Sequence, residues 1–179
     1  MRNAVRLLSA VALASGLAAG PAMAQIEAGD KSLMLHVFGQ STTGTDDKQT
    51  MVMALVGVNF FQTRNFAWRL SVTGIGGESG GDSSNGALLG AGVEWNFNSE
   101  GAKAIPFVAV DASQFMFPDA NASMVSPSAG LRSFVSRSTS FDVAGSYNLL
   151  IAGGEDGGTF GFFQLRLGFS YFLGKDARR

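Results

Sequence analysis

The sequence contains no cysteine, which excludes disulfide cross-links and thiolate metal sites. It has a single histidine, His36, so a multi-histidine metal centre is excluded as well. Only four of its 179 residues are proline, and beyond residue 24 no apolar run approaches the roughly 20 residues that a membrane-spanning helix requires. Neither sign of charge dominates: 13 basic residues face 14 acidic ones, which leaves no basic surface for nucleic acid. Glycine (24) and phenylalanine (15) are plentiful instead, and the apolar residues are distributed mainly by alternation.

The first 24 residues stand apart. Arg2 and Arg6 precede an apolar stretch over 7–17, and Ala22-Met23-Ala24 supplies the small residues of a cleavage site, the pattern of a secretory signal peptide. Residues 1–24 are therefore expected to be removed and residues 25–179 to form one domain. That domain carries 11 basic and 14 acidic residues, a net charge near −3.

Within it, period-two patterning recurs eight times. Over 65–75, Phe66, Trp68, Leu70 and Val72 alternate with Ala67, Arg69, Ser71 and Thr73; over 87–97, Leu89, Ala91, Val93, Trp95 and Phe97 alternate with Gly90, Gly92, Glu94 and Asn96. A helix could not gather either set on one face. Six more segments read likewise: about 31–39, 50–61, 104–116, 127–136, 141–151 and 163–171. Strands of about 9–11 residues suit a tilted membrane crossing. The intervening segments alternate long (39–49, 76–86, 117–126, 152–159) and short (62–64, 98–103, 137–139). Bacterial barrels have short periplasmic turns and longer outer loops, so both termini are expected in the periplasm and all four long loops outside.

On that topology Phe60, Phe66, Trp68, Trp95, Phe97, Phe141, Phe169 and Tyr171 fall on the lipid side near the lower interface, an aromatic girdle, with Phe163 and Met116 the upper candidates. The long loops hold Asp46, Asp47, Glu78, Asp82, Asp119, Glu155 and Asp156 against Lys48 alone, an acidic outer rim. The short-link ends hold Lys31, Arg64, Lys103, Arg137, Lys175, Arg178 and Arg179 against Glu27, Asp30, Glu100 and Asp176, and the six charged residues left over are all inward by parity: Arg69, Glu94, Asp111, Arg132, Asp142 and Arg166. Folding adjacent strands about the long loops sets Phe66 opposite Phe97, Trp68 opposite Trp95, Arg69 opposite Glu94 and Asp111 level with Arg132, with no direct partner for Asp142 or Arg166; such neighbours lie about 5 Å apart. This neutral network reads as a salt-bridged plug rather than a conduit, because eight strands leave room only for side chains to fill.

The whole domain resembles the small eight-stranded outer-membrane barrels, the class of the OmpA transmembrane domain and OmpX. Locally, Glu27-Ala28-Gly29-Asp30-Lys31, Ala129-Gly130-Leu131-Arg132-Ser133-Phe134-Val135 and Gly168-Phe169-Ser170-Tyr171-Phe172-Leu173-Gly174 resemble a group of outer-membrane barrel-domain proteins. A terminal aromatic usually closes the last strand in that class for the assembly machinery, whereas Phe172 is followed here by seven residues, so that signal would be internal. The resemblance implies an all-β, up-and-down transmembrane barrel in the outer membrane of a Gram-negative bacterium. Its expected partners are outer-membrane lipids, lipopolysaccharide, the barrel-assembly machinery and a surface ligand at the loops, with no cofactor and a monomeric state. The leading role is structural or adhesin-like; a narrow passive pore is the alternative, followed by a lipid A-modifying enzyme. A soluble lipocalin-like barrel would need the opposite assignment of faces.

Enzymatic chemistry has little to rest on. A nucleophile needs a base beside it, and His36 with Ser32 on the same inward face is the only arrangement available; it reads as packing. Asp46-Asp47 and Glu155-Asp156 could offer oxygen ligands to calcium but read as solvated loop residues. The glycine pairs at 76–77, 80–81, 153–154 and 157–158 lack the Lys-Ser/Thr of a phosphate loop. No catalytic, cofactor or metal residues are assigned.

Overall fold

Alternation of apolar and polar residues commits each segment to an extended chain with two unlike faces, and closure of the sheet removes its edges. The computed structural model describes residues 26–43, 48–79, 82–99, 102–116, 122–153 and 157–173. Eight strands, β1 (Lys31–Thr43), β2 (Lys48–Phe61), β3 (Phe66–Ser79), β4 (Asp82–Asn96), β5 (Ala104–Phe115), β6 (Ala122–Phe134), β7 (Thr139–Ala152) and β8 (Thr159–Leu173), form one closed antiparallel barrel in sequence order. β1 and β8 complete it from Lys31↔Leu173 to Val37↔Leu167. The expected signal peptide and the cleavage site at Ala24 lie outside the described residues.

The strands run further than their alternation. The segments expected as loops at 39–49 and 76–86 are largely hairpin: β1 and β2 stay paired to Thr43↔Lys48, and β3 and β4 to Ser79↔Asp82. Likewise β6 begins at Ala122 rather than near 127. Backbone pairing needs only N–H and C=O groups, whereas alternation records unlike surroundings on the two faces. Where the sequence becomes Gly- and Ser-rich the pattern fades and the ladder continues.

At the other end the links are short and locally determined. The Thr63 hydroxyl accepts hydrogen bonds from the N–H groups of Asn65 and Phe66 at 3.2 and 3.0 Å. The Ser136 hydroxyl accepts from those of Ser138 and Thr139 at 3.3 and 3.0 Å. One side-chain turn device thus serves both links. Ahead of β1, the chain folds beneath this end: Gly29 N–H donates to the Phe61 carbonyl at 2.8 Å, and Phe61 N–H to the Asp30 carbonyl at 2.9 Å.

The interior is layered. Ile26, Phe61, Ala67, Ile105, Phe134 and Phe172, none more than 3% exposed, close the short-link end. Charged and amide side chains occupy the middle. Towards the long-loop end Met34, Phe38, Met53 and Leu55 form a second apolar cluster, with Phe162 against it. Outside, the polarity is reversed: Leu35, Val56, Leu70, Leu89, Val110, Leu131, Tyr147 and Leu165, one from each strand in turn, are 39–60% exposed.

Candidate functional site: the charged lumen

All six inward charges are buried, from Arg132 at 0% exposure to Asp111 at 6%. They fall into two clusters. In the first, Arg132 on β6 directly opposes Asp142 on β7, donating from Nε to Oδ1 at 3.1 Å and from Nη2 to Oδ2 at 3.0 Å. Its Nη1 also donates to Glu94 Oε1 at 2.8 Å and to Asn96 Oδ1 at 3.1 Å. The guanidinium lies 5.1 Å from the Phe107 ring centroid and 5.8 Å from that of Phe172. The carboxylates are held in turn: Ser140 and Ser170 donate to Asp142 at 2.9 and 2.7 Å, and Asn96 Nδ2 to Glu94 at 2.9 Å. Such a forked, charge-assisted arrangement is what lets a charge persist away from water.

Glycine makes this crowding possible. A Cβ on Gly130 would meet the Val143 carbonyl and the Phe107 ring that packs against Arg132; a Cβ on Gly168 would collide with His36. His36 Nε2 lies 3.6 Å from Asp142 Oδ2.

The second cluster is looser. Arg69 stands 3.5 Å from Asp111 and 3.6 Å from Glu94, and Arg166 stands 3.8 Å from Asp111. Among the described residues, Arg69 Nε and Nη1, Arg166 Nε and Asp111 Oδ2 are buried with no hydrogen-bond partner, as are atoms of Ser32, His36, Asn59 and Ser126.

These pairings differ from those expected by folding the strands about the centres of the loops. Phe66 faces Trp95 rather than Phe97, Trp68 faces Val93, and Ala67 faces Glu94 while Arg69 faces Gly92, so Arg69 reaches Glu94 diagonally. Asp111 faces Ser126, and Arg132 faces Ile105 on one side and Asp142 on the other. Asp142, expected to lack a direct partner, has the best in the lumen. Alternation is unchanged by a shift of two residues, so it assigns faces but not register; the hairpin ends decide that.

The eight aromatics expected on the lipid side all point outward. Phe66 packs edge-on to Trp68 with centroids 5.4 Å apart, Phe141 lies 5.3 Å from Phe169, and Lys31 Nζ lies 6.0 Å from the Phe60 ring. At the far end, Tyr147 packs on Phe163 at 4.8 Å, and Phe160 is 61% exposed. His36 and Ser32, the arrangement considered for nucleophilic chemistry, both face the lumen at 3% and 0% exposure. Asp46, Asp47, Asp119, Glu155 and Asp156 lie outside the described residues.

This architecture is similar to solved structures. It matches the N-terminal β-barrel domain of Pseudomonas aeruginosa OprF with a TM-score of 0.57 at 13% identity, over 83% of this chain and 100% of that one. It also matches Neisserial surface protein A (0.52, 10%, 79% and 94%) and the outer membrane protein OprG from Pseudomonas aeruginosa (0.50, 10%, 83% and 98%). The fold is that of the small eight-stranded outer-membrane barrels. No family model matches the sequence, and no curated protein matches it.

Several parts of the lumen were not singled out by sequence. Asn96, Ser140, Ser170 and the rings of Phe107 and Phe172 surround Arg132 and Asp142. All share the inward parity of the charges, which was the available signal. Ile26 had none, because it precedes the first alternating segment.

Proposed function

We propose that this chain is a monomeric barrel of the outer membrane of a Gram-negative bacterium, with both termini in the periplasm and a closed lumen, serving a structural or surface-interaction role through its acidic loops. The observation that carries the reading is the inverted polarity: the exterior is a continuous apolar belt, and the charges are inside. Only helices and closed barrels satisfy every backbone group in hydrocarbon, and outward aromatics near the ends suit the membrane interfaces. The lower apolar cluster and the fully buried Arg132 support closure. The acidic rim read from the loop sequences is the surface this reading offers to partners.

A narrow pore is the second reading, favoured by the loose cluster, whose polar atoms outnumber their protein partners. One pair of measurements tests both. The outer-membrane fraction should contain a band whose gel mobility changes on boiling, and the refolded protein should give no resolved conductance steps in planar bilayers. A soluble periplasmic species without a heat shift would overturn the membrane reading; steady conductance would replace the closed lumen by the pore.

A further inference from the structure

The outer face of β4 to β8 is indented by a groove of about 950 Å³. Its lining includes Ala129 and Gly145, where a single methyl group and no side chain at all leave the strand backbone bare. Beside them, at Ser126 and Pro127, the β6–β7 ladder skips two positions, between Val125↔Leu149 and Ser128↔Ser146. Phe66 and Trp95 wall one side, Tyr147 and Phe163 the other. The volume lies within the roughly 300–1,000 Å³ of small-molecule sites. Towards the short-link end, two exposed cations lie below the same strands, Lys103 before β5 and Arg137 between β6 and β7. Their links adjoin, since Phe134 N–H donates to the Lys103 carbonyl at 3.2 Å. Among the described residues neither cation is in an ion pair.

We propose that this groove seats one acyl chain of an anionic glycerophospholipid whose phosphate is held at Lys103 and Arg137. The proposal rests on the membrane reading above. From Lys103 to Val108 in the groove the strand rises about 16 Å at roughly 3.3 Å per residue. That leaves the glycerol near Pro106 and Leu131, the upper methylenes beside Phe66 and Trp95, and the distal part of the chain towards Tyr147 and Phe163. The lipid supplies what the site lacks: apolar volume above the bared backbone and negative charge beside the cations.

The two tryptophans make it testable, since Trp95 lines the groove and Trp68 does not. The protein would be refolded into phosphatidylcholine vesicles containing a minor fraction of chain-brominated phosphatidylglycerol, and quenching compared in Trp68→Phe, which reports Trp95, and Trp95→Phe, which reports Trp68. Trp95 should behave as if the local brominated fraction were at least about five-fold above nominal, the enrichment that one of the two cations alone confers at a membrane surface, while Trp68 follows the nominal fraction. Gly145→Leu fills the groove and should abolish the excess; a Cβ there meets nothing within 4 Å, so folding is spared. Lys103→Gln with Arg137→Gln should make brominated phosphatidylglycerol and phosphatidylcholine equivalent. Equal quenching of the two tryptophans, or an excess that survives Gly145→Leu, overturns the site. Protection of Trp95 below Trp68 overturns it too, by showing that a second copy covers the groove. Absence of quenching at both positions would instead remove the membrane reading.

Discussion

The two ion clusters in the lumen use the same residue types and are held in different ways. Arg132 meets Asp142 in direct cross-strand register, with hydroxyl and amide donors completing the carboxylates and rings packing on the guanidinium. Arg69, Asp111 and Arg166 meet across β3, β5 and β8 at 3.5–3.8 Å, without a hydrogen bond between them. Their charges cancel only together: Arg132 with Asp142 and Glu94 carries one negative charge in excess, and Arg69 with Asp111 and Arg166 one positive. What separates them is register and the supply of secondary donors, because a buried charge is tolerated when its remaining lone pairs and protons are used.

The comparison is broken most severely at Arg132. Arg132→Met should destabilise the barrel by about 3–5 kcal/mol in urea titrations in lipid or detergent, since it strands Glu94 and Asp142 in the interior. Should it cost no more than Arg166→Met, the distinction between the clusters is false. A double-mutant cycle on Arg132 and Asp142 should return a coupling of about 1–3 kcal/mol. The same cycle on Arg166 and Asp111 should return less than half of it. Next comes Arg166→Met alone, expected to cost about 1 kcal/mol, near the centre of ordinary point mutants. The smallest effect expected is on conductance: Arg69→Ala and Arg166→Ala should leave bilayer recordings unchanged, because Ile26, Phe61, Phe134 and Phe172 close the barrel beneath them. Conductance steps that appear in either variant, but not in the parent, would show that the loose cluster is the barrier.

Much of this was legible in the sequence, and the division between what was and was not is physical. The inward face of the six lumen charges, and the outward face of Trp68, Trp95 and Phe169, follow from parity alone. Which charge meets which does not, as the displacement of Trp68 from Trp95 to Val93 shows. Register is a property of hairpin ends, and Thr139, Ser140 and Phe141, which set Asp142 against Arg132, look like any other half-polar strand. The hairpins beyond Gly39 and Ile75 were invisible for a related reason, since glycine and serine form ladder hydrogen bonds without leaving an apolar trace. The lower seal depends partly on Ile26, a single residue with no period to announce it.

The inward glycines also bear on how such a barrel can diverge. Gly130 and Gly168 are places where a neighbouring strand's side chain occupies the space a methyl group would take, so even alanine is excluded there. Outward positions such as Leu35, Val56, Leu89 and Val110 face no neighbour of defined shape, and any apolar residue can replace another. Substitutions are therefore expected to be tolerated over the outward half of the strands and excluded at particular inward positions such as Gly130 and Gly168. The architecture thus constrains the sequence at few positions, and a similar fold is found in solved structures at 10–13% identity.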